Sequence, residues 1–197
     1  MTKKKIGITG GIGSGKSHCL QIFNNLGIST YIADIRATML MVSSPDLIKD
    51  LINLLGKDIY QPNGKINKKR MSEAVFDNPY MRKKINNIVH PAVGQDYEEW
   101  HSFQSSKYTL KEAALLIESQ SYKSLDFLIV VTAPQPIRIQ RVMQRDTISE
   151  VEVRNRINSQ MKEEEKLSYA DYIIDNSGTI PLLPQILEIH SKLLDWE

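Results

Sequence analysis

KKKIGITGGIGSGKSHCLQIF, residues 3–23, decides the fold. Ile6–Thr9 is a short apolar run of strand character, and Cys19, Leu20 and Phe23 recur at helical spacing across Ser17–Asn25. Strand, loop and helix therefore follow one another directly. Four glycines fall between Ile8 and Lys16, although glycine is costly to order. A chemical reason is needed for crowding them against a strand.

Gly10-Gly11-Ile12-Gly13-Ser14-Gly15-Lys16-Ser17 supplies it, because it satisfies G-x-x-x-x-G-K-[ST], the phosphate-binding P-loop. Glycines let the backbone turn tightly around a phosphate and aim successive N–H groups at its oxygens. The helix beginning near Gly15 adds its positive end. In this chemistry Lys16 reaches the β- and γ-phosphates, and the Ser17 hydroxyl ligates Mg²⁺.

Outward from this motif the chain alternates. Gly27 stops the first helix as a C-cap glycine would, and Ile28–Ala33 reads as a second strand rich in β-branched and aromatic residues. From Asp34 to about Ser106 the character is helical. Leu47, Ile48, Leu51, Ile52 and Leu55 form one broad apolar face ending at Gly56, and Asn63-Gly64 signals a turn between two short extended pieces. Met71–Asp77 and Pro79–Trp100 follow as helices, with Pro91 expected to kink or break the second. Glu112–Ser119 and Asp126–Pro134 are short continuous apolar runs, the pattern of strands buried on both faces of a parallel sheet. Pro136–Gln144 and Ser149–Leu167 are helical, Tyr172–Asp175 is a last strand and Ile180–Leu194 a closing helix. The expectation is a single α/β domain over 1–197: three layers, a mostly parallel five-stranded sheet, a helical insertion at about 36–106 and a helical lid at about 146–167.

Composition narrows the function. Twenty-five basic against 23 acidic residues leave a net charge of only +2, which argues against nucleic-acid binding over a broad basic face. The single cysteine, Cys19, rules out an intramolecular disulfide framework and reads as a small buried filler. No apolar run reaches the ~18 residues of a membrane span, and the stretch after Lys3, Lys4 and Lys5 is too broken for a signal peptide. A cytoplasmic protein with no membrane partner is expected.

Phosphate binding admits a switch GTPase, a motor or nucleic-acid ATPase, or a small-molecule kinase. No Asn-Lys-x-Asp guanine signature occurs, and the strongest hydrophobic strand ends IVVTAP without a carboxylate. A kinase needs a carboxylate facing the acceptor hydroxyl and positive groups around the moving phosphoryl. Asp34, at the end of the second strand, is placed for the first task, and serves equally as an N-cap for the next helix. Arg138, Arg141 and Arg145 share one helix face. Arg138 reads as a solvated residue, and Arg141 and Arg145 as nucleotide contacts. Arg154, Arg156 and the charged run Lys162–Lys166 suit a mobile segment that closes over ATP.

With these residues in place the chain resembles the dephospho-coenzyme A kinase family. ITGGIGSGKS, IADIRA, NPYMRKKINNIVHP, ALLIES, VMQRD and ADYIIDNSG fall in that family's order over nearly the whole chain. The resemblance implies ATP as phosphoryl donor with Mg²⁺ on Ser17, and dephospho-coenzyme A phosphorylated on its ribose 3′-hydroxyl. It implies nucleotide binding by Gly11, Ile12, Gly13, Ser14, Gly15, Lys16, Ser17, His18, Arg145 and Asn176. Asp34, Lys16 and Arg141 would be catalytic, Asp34 as the general base, and Asp34, His90 and Glu118 would meet the acceptor. The helical insertion would receive dephospho-coenzyme A, in a monomer or weak homo-oligomer. The chain departs from the family pattern at His18, where a threonine is common, at Ile32, where an aspartate is usual, and at Ala114, in place of a proline. Kinases of other nucleosides or nucleotides, and a non-catalytic nucleotide sensor, are the alternative readings.

Overall fold

The computed structural model describes residues 3–75 and 78–195. Along the chain run β1 (Lys4–Thr9), α1 (Lys16–Asn25), β2 (Ser29–Ile32), α2 (Ala33–Ser43), α3 (Pro45–Leu55), α4 (Lys68–Val75) and α5 (Pro79–Ser102). Then follow β3 (Tyr108–Glu112), β4 (Phe127–Thr132), α6 (Gln135–Asp146), α7 (Glu150–Asn158), α8 (Glu163–Leu167), β5 (Tyr172–Asp175) and α9 (Leu182–Leu194). Two compact units result: a sheet unit built from the segments before Ala33 and after Phe103, and a helical unit, Ala33–Phe103, inserted between β2 and β3.

The sheet has the order β2-β3-β1-β4-β5. Every pairing is parallel, with Ile6 opposite both Leu110 and Phe127 and Val131 opposite Ile174. Parallel pairing sends all five carboxyl ends to one edge, where open α/β sheets bind ligands. The P-loop after β1, Ala133 after β4 and Asn176 after β5 therefore converge. On one face Ile6, Ile8, Leu110, Ile129 and Val131 pack against Cys19, Leu20 and Phe23 of α1 and Ile186, Ile189 and Leu193 of α9. On the other, Leu128 and Val130 bury Leu116 and Ile117 with Met161 and Leu167 against them. Three layers follow from two apolar sheet faces, each needing a cover.

The third strand is not Glu112–Ser119. It is β3, Tyr108–Glu112, and the apolar run from Ala114 folds as turns whose Leu116 and Ile117 fill the second face. Lys111 and Glu112 disguised β3 by breaking its apolar pattern, yet both are buried in the strand. The helix expected over Ser149–Leu167 is two helices, α7 and α8, parted at Ser159–Lys162. A capping box starts α7, with Ser149 and Glu152 exchanging side-chain and backbone bonds.

In the helical unit Ser44 caps α3 by accepting from the Leu47 amide at 3.4 Å, and Asn78 caps α5 by accepting from Met81 at 2.9 Å. Proline follows each cap, where its missing N–H costs nothing. Pro91 does not break α5, which runs through it to Ser102. One lost i→i−4 bond is outweighed by the buried row Ile85, Val89, Val93 and Tyr97 on the same helix. The turn at Asn63-Gly64 joins an isolated antiparallel bridge, Tyr60 with Ile66. The helix expected to end at Asp77 is α4, described to Val75; Phe76 and Asp77 lie outside the described residues. Among the described residues no helix is long and apolar enough to cross a membrane.

The seam between α9 and the sheet carries a polar pair, Tyr108 Oη and His190 Nδ1, 2.7 Å apart. Burial raises the Tyr108 phenol above its ordinary value and lowers His190 below its ordinary 6.5. Burial thus favours the uncharged form of both partners. An unfolded His190 takes up a proton first as pH falls, so its contribution is complete above about 6.5 and is lost as pH drops through the lower folded value. We expect the stability gap between the wild type and His190→Gln, measured by urea unfolding, to shrink from about pH 8 to about pH 5; a constant gap contradicts this linkage.

Candidate functional site

The loop between β1 and α1 is held by its carbonyls. Lys16 Nζ donates to Gly10 O at 2.8 Å and to Gly11 O at 3.4 Å. Arg138 Nε donates to Ile12 O at 2.9 Å, Arg141 Nη1 to Gly13 O at 3.5 Å and Asn176 Nδ2 to Ser14 O at 2.7 Å. Gly15 O accepts the His18 and Cys19 amides as α1 begins. Each carbonyl from Gly10 to Gly15 thus has a donor. A trans peptide points its N–H opposite to its C=O, so drawing carbonyls out to side chains turns the following amides to the other side, the arrangement an anion requires.

This curvature demands glycine at two positions. Gly13 has φ +79° and a Cβ there would lie 2.5 Å from Arg138 O; Gly15 has φ +94° and a Cβ there would lie 2.0 Å from Asn176 Nδ2. The left-handed backbone already disfavours a side chain. The close approach of α6 and Asn176 then leaves no room for one.

The remaining expected site residues are distributed as follows. Ser17 and His18 stand exposed on the first turn of α1, beside Lys16. Arg141 also donates to Asn176 O at 3.0 Å, so it and Asn176 brace the loop together. Arg145 is turned away: its side chain is 61% exposed and paired with Asp146, which raises the guanidinium above its ordinary value. Glu118 Oε1 is ion-paired with Lys166 Nζ at 2.8 Å and accepts from the Met161 amide at 3.3 Å, tying the turn after β3 to the α8 segment. Asp34 and His90 belong to the helical unit, Asp34 exposed in the first turn of α2 and His90 exposed on α5.

Three residues escaped the sequence. Arg138, expected in solvent, is 5% exposed beneath the loop; its helical spacing was visible, but not the loop laid across it. Gln160 accepts from the Ile12 amide at 2.9 Å, and nothing in a charged stretch marked it. Glu112 is a buried carboxylate at the carboxyl end of β3, next to β1, missed because the strand was placed later.

Beside this edge lies a cavity of about 620 Å³, lined by Thr132, Pro134, Asp175, Ser177, Gln160 and Glu163. The donor set fits a polyphosphate: loop amides, the helix N-terminus, Lys16 and Arg141 all favour negative charge. It also fits a divalent cation shared with that phosphate through the exposed Ser17 hydroxyl. Among the described residues no group of three or more His, Cys, Asp or Glu side chains could hold a metal by itself.

A family model described as dephospho-CoA kinase matches residues 4–181. The chain is 37% identical over 186 residues to the dephospho-CoA kinase of Bacteroides fragilis strain YCH46, covering 94% of this chain and 90% of that one. It is 38% identical over 185 residues to that of Porphyromonas gingivalis strain W83, covering 93% and 91%. A dephospho-CoA kinase structure from Campylobacter jejuni aligns with TM-score 0.71 and 28% identity over 98% of each chain. A shikimate kinase from Acinetobacter baumannii, 14% identical over 98% of this chain and 94% of its own with TM-score 0.54, shares the fold.

Two outcomes follow from the packing. Gly15→Ala should displace Asn176 and destabilise the protein by about 1–2 kcal/mol from the left-handed backbone alone, with loss of nucleoside triphosphate binding in calorimetry; normal binding would refute the close-approach argument. Burial pushes the Cys19 thiol up to about 12, so at neutral pH the native protein should resist a thiol-specific disulfide reagent that labels it at once in urea.

Proposed function

The chain belongs to the dephospho-CoA kinase family, and from that membership we infer that it transfers the γ-phosphoryl of ATP to the ribose 3′-hydroxyl of dephospho-coenzyme A, the last step of coenzyme A synthesis. One observation supports the donor half: side chains draw the Ile12, Gly13 and Ser14 carbonyls to one side of the loop, which turns amides such as those of Gly13 and Gly15 toward the other side, where a phosphate can meet them. Gly11–His18 hold the triphosphate. Lys16 exchanges its Gly10 and Gly11 carbonyl partners for the β- and γ-phosphate oxygens, which its flexible stem permits. Arg141, fixed by Asn176 at the loop's edge, stabilises charge on the moving phosphoryl, and Asn176 continues toward the adenine. Arg145 joins them when it leaves Asp146.

Ser17 would hold Mg²⁺, which when bound would supply neutralisation of phosphate charge. Every other contribution comes from the chain. Asp34, one residue beyond the start of α2 and two beyond the end of β2, accepts the 3′-hydroxyl proton or orients that hydroxyl for in-line attack. The reading is supported by the position of β2's carboxyl end on the ligand-binding edge of a parallel sheet. His90 and Glu118 act on the acceptor side.

The helical unit offers the acceptor a fitting surface. A groove of about 520 Å³ runs beside Thr38, Met39 and Val42 of α2, with Lys65, Lys68 and Lys69 on its other wall. Thr38 and Val42 follow Asp34 at intervals of four on α2, so all three share a helix face. A diphosphate carrying an uncharged arm suits lysines above an apolar floor.

The decisive assay presents ATP·Mg²⁺ with dephospho-coenzyme A, adenosine, AMP and CMP in parallel, with the phosphorylated position read by NMR. Selective 3′-phosphorylation of dephospho-coenzyme A is expected, and transfer only to another nucleotide would overturn the acceptor. Lys16→Ala should abolish turnover. Asp34→Asn should lower kcat by about 10²–10⁴-fold with ATP affinity retained; near-normal turnover would remove the base assignment.

A further inference from the structure

Ile12, at the tip of the loop, is held at both ends of its backbone. Its N–H donates to Gln160 Oε1 at 2.9 Å and its carbonyl accepts from Arg138 Nε at 2.9 Å. Its side chain packs with Ile139 and Val142 of α6 and Val153 and Ile157 of α7. Gln160 lies between α7 and α8, and Arg138 is ion-paired with Glu163, the first residue of α8. The segment 150–167 thus reaches the phosphate loop directly through the Gln160 side chain and Val153, and indirectly through Glu163, which holds the Arg138 guanidinium of α6.

The grip is built rather than incidental. The Arg138 guanidinium lies against Gly11, where a Cβ would come 2.2 Å from Nη2, so that glycine makes room for the arginine. The Arg138 side chain is 6% exposed and its charge is met by Glu163, a buried pair whose breaking leaves an uncompensated ion. Four buried side-chain atoms among the described residues lack a hydrogen-bond partner: Ser14 Oγ, Glu118 Oε2, Glu163 Oε1 and Lys166 Nζ. One is in the loop and the others are at the base of α8, where Lys166 keeps its ion pair with Glu118. The segment is held by these charged groups together with the apolar contacts of Val153, Ile157, Met161 and Leu167, and its hold ends on the loop.

We propose that Arg138 and Gln160 are positioning residues for nucleotide binding, which fix the Ile12 peptide only while the 150–167 segment is docked. The inference rests on the reading that the loop holds ATP. The orientation of the loop's phosphate-facing amides then depends on the segment, and by linkage ATP must favour the docked segment as much as docking favours ATP. Neither side chain touches the phosphates in this scheme. Their effect runs through Ile12.

The test measures ATP affinity by calorimetry and hydrogen–deuterium exchange of peptides covering 150–167, with and without ATP. In the wild type ATP should slow exchange in that segment. Gln160→Met, which removes one acceptor and keeps the volume, should weaken ATP binding about tenfold and Arg138→Met by more, as expected for lost neutral and charged hydrogen bonds, with protection by ATP diminished in both. Arg138→Lys, which can hold Ile12 or Glu163 but not both, should fall between. The KM for dephospho-coenzyme A should not move, which a general loss of structure would not spare. If Arg138→Met does not fold, Gln160→Met decides alone: ATP binding within about twofold of wild type, with unchanged protection by ATP, overturns the proposal. A wild type that shows the coupling but does not phosphorylate dephospho-coenzyme A removes the acceptor assignment and leaves this inference standing.

Discussion

The six peptide carbonyls from Gly10 to Gly15 are the constraint around which the sheet unit is arranged. Each is met by a donor, and where a side chain draws a carbonyl to one side the amide of the same peptide turns to the other. Their donors come from distant stretches: Lys16 from α1, Arg138 and Arg141 from α6, Asn176 from the end of β5. Such convergence is available because β1 and β5 flank β4, and α6 starts from β4's carboxyl end. An antiparallel β4 or β5 would send its end to the opposite edge and leave the loop without its arginines or its asparagine.

That arrangement also accounts for the charge economy of the chain. A net charge of +2 gives no field that would gather anions over the surface at large, so the positive potential must be local. It is concentrated under the loop by three side chains whose hydrogen bonds to carbonyls hold them in place. The neighbouring carboxylates limit it. Asp146 draws both Arg145 and Arg156 aside, and Glu163 neutralises Arg138. On the proposed reading a triphosphate meets Lys16, Arg141 and the amide groups, a small set aimed by geometry.

The helical unit stands in a different relation to its sequence. Its helices are started by Ser44 and Asn78, each followed by proline, and closed on themselves by Tyr60 Oη donating to Met41 O at 2.7 Å and by the Arg36–Asp96 pair. Being inserted between β2 and β3, it interrupts the chain and leaves the sheet's register intact. Asp34 belongs to this unit while following β2 by two residues. One carboxylate can thus favour a helix start through the helix dipole immediately after a strand ends.

The strand–loop–helix around Gly10–Ser17, the α/β class and the positions of β4 and β5 were legible in the sequence because they rest on local periodicity and on glycine's tolerance of positive φ, and the family was legible only through a resemblance carried by an ordered set of motifs. The sequence placed Asn176 and Arg141 on the right elements, since a strand end and a helix face are local properties too. Long-range packing set which strand lies third, for β3 is buried by its neighbours despite Lys111 and Glu112, and the more apolar Ala114–Ile117 turns to cover Leu128 and Val130 of β4. Only the tertiary structure could bury Arg138, since a charged residue on an amphipathic helix reads as exposed until a loop from 126 residues earlier lays a carbonyl on it. Gln160 was invisible for the same reason. Spacing along a chain records which side chains share a face, whereas the partner that face receives is set by long-range packing, and the grip on Ile12 consists wholly of such partners.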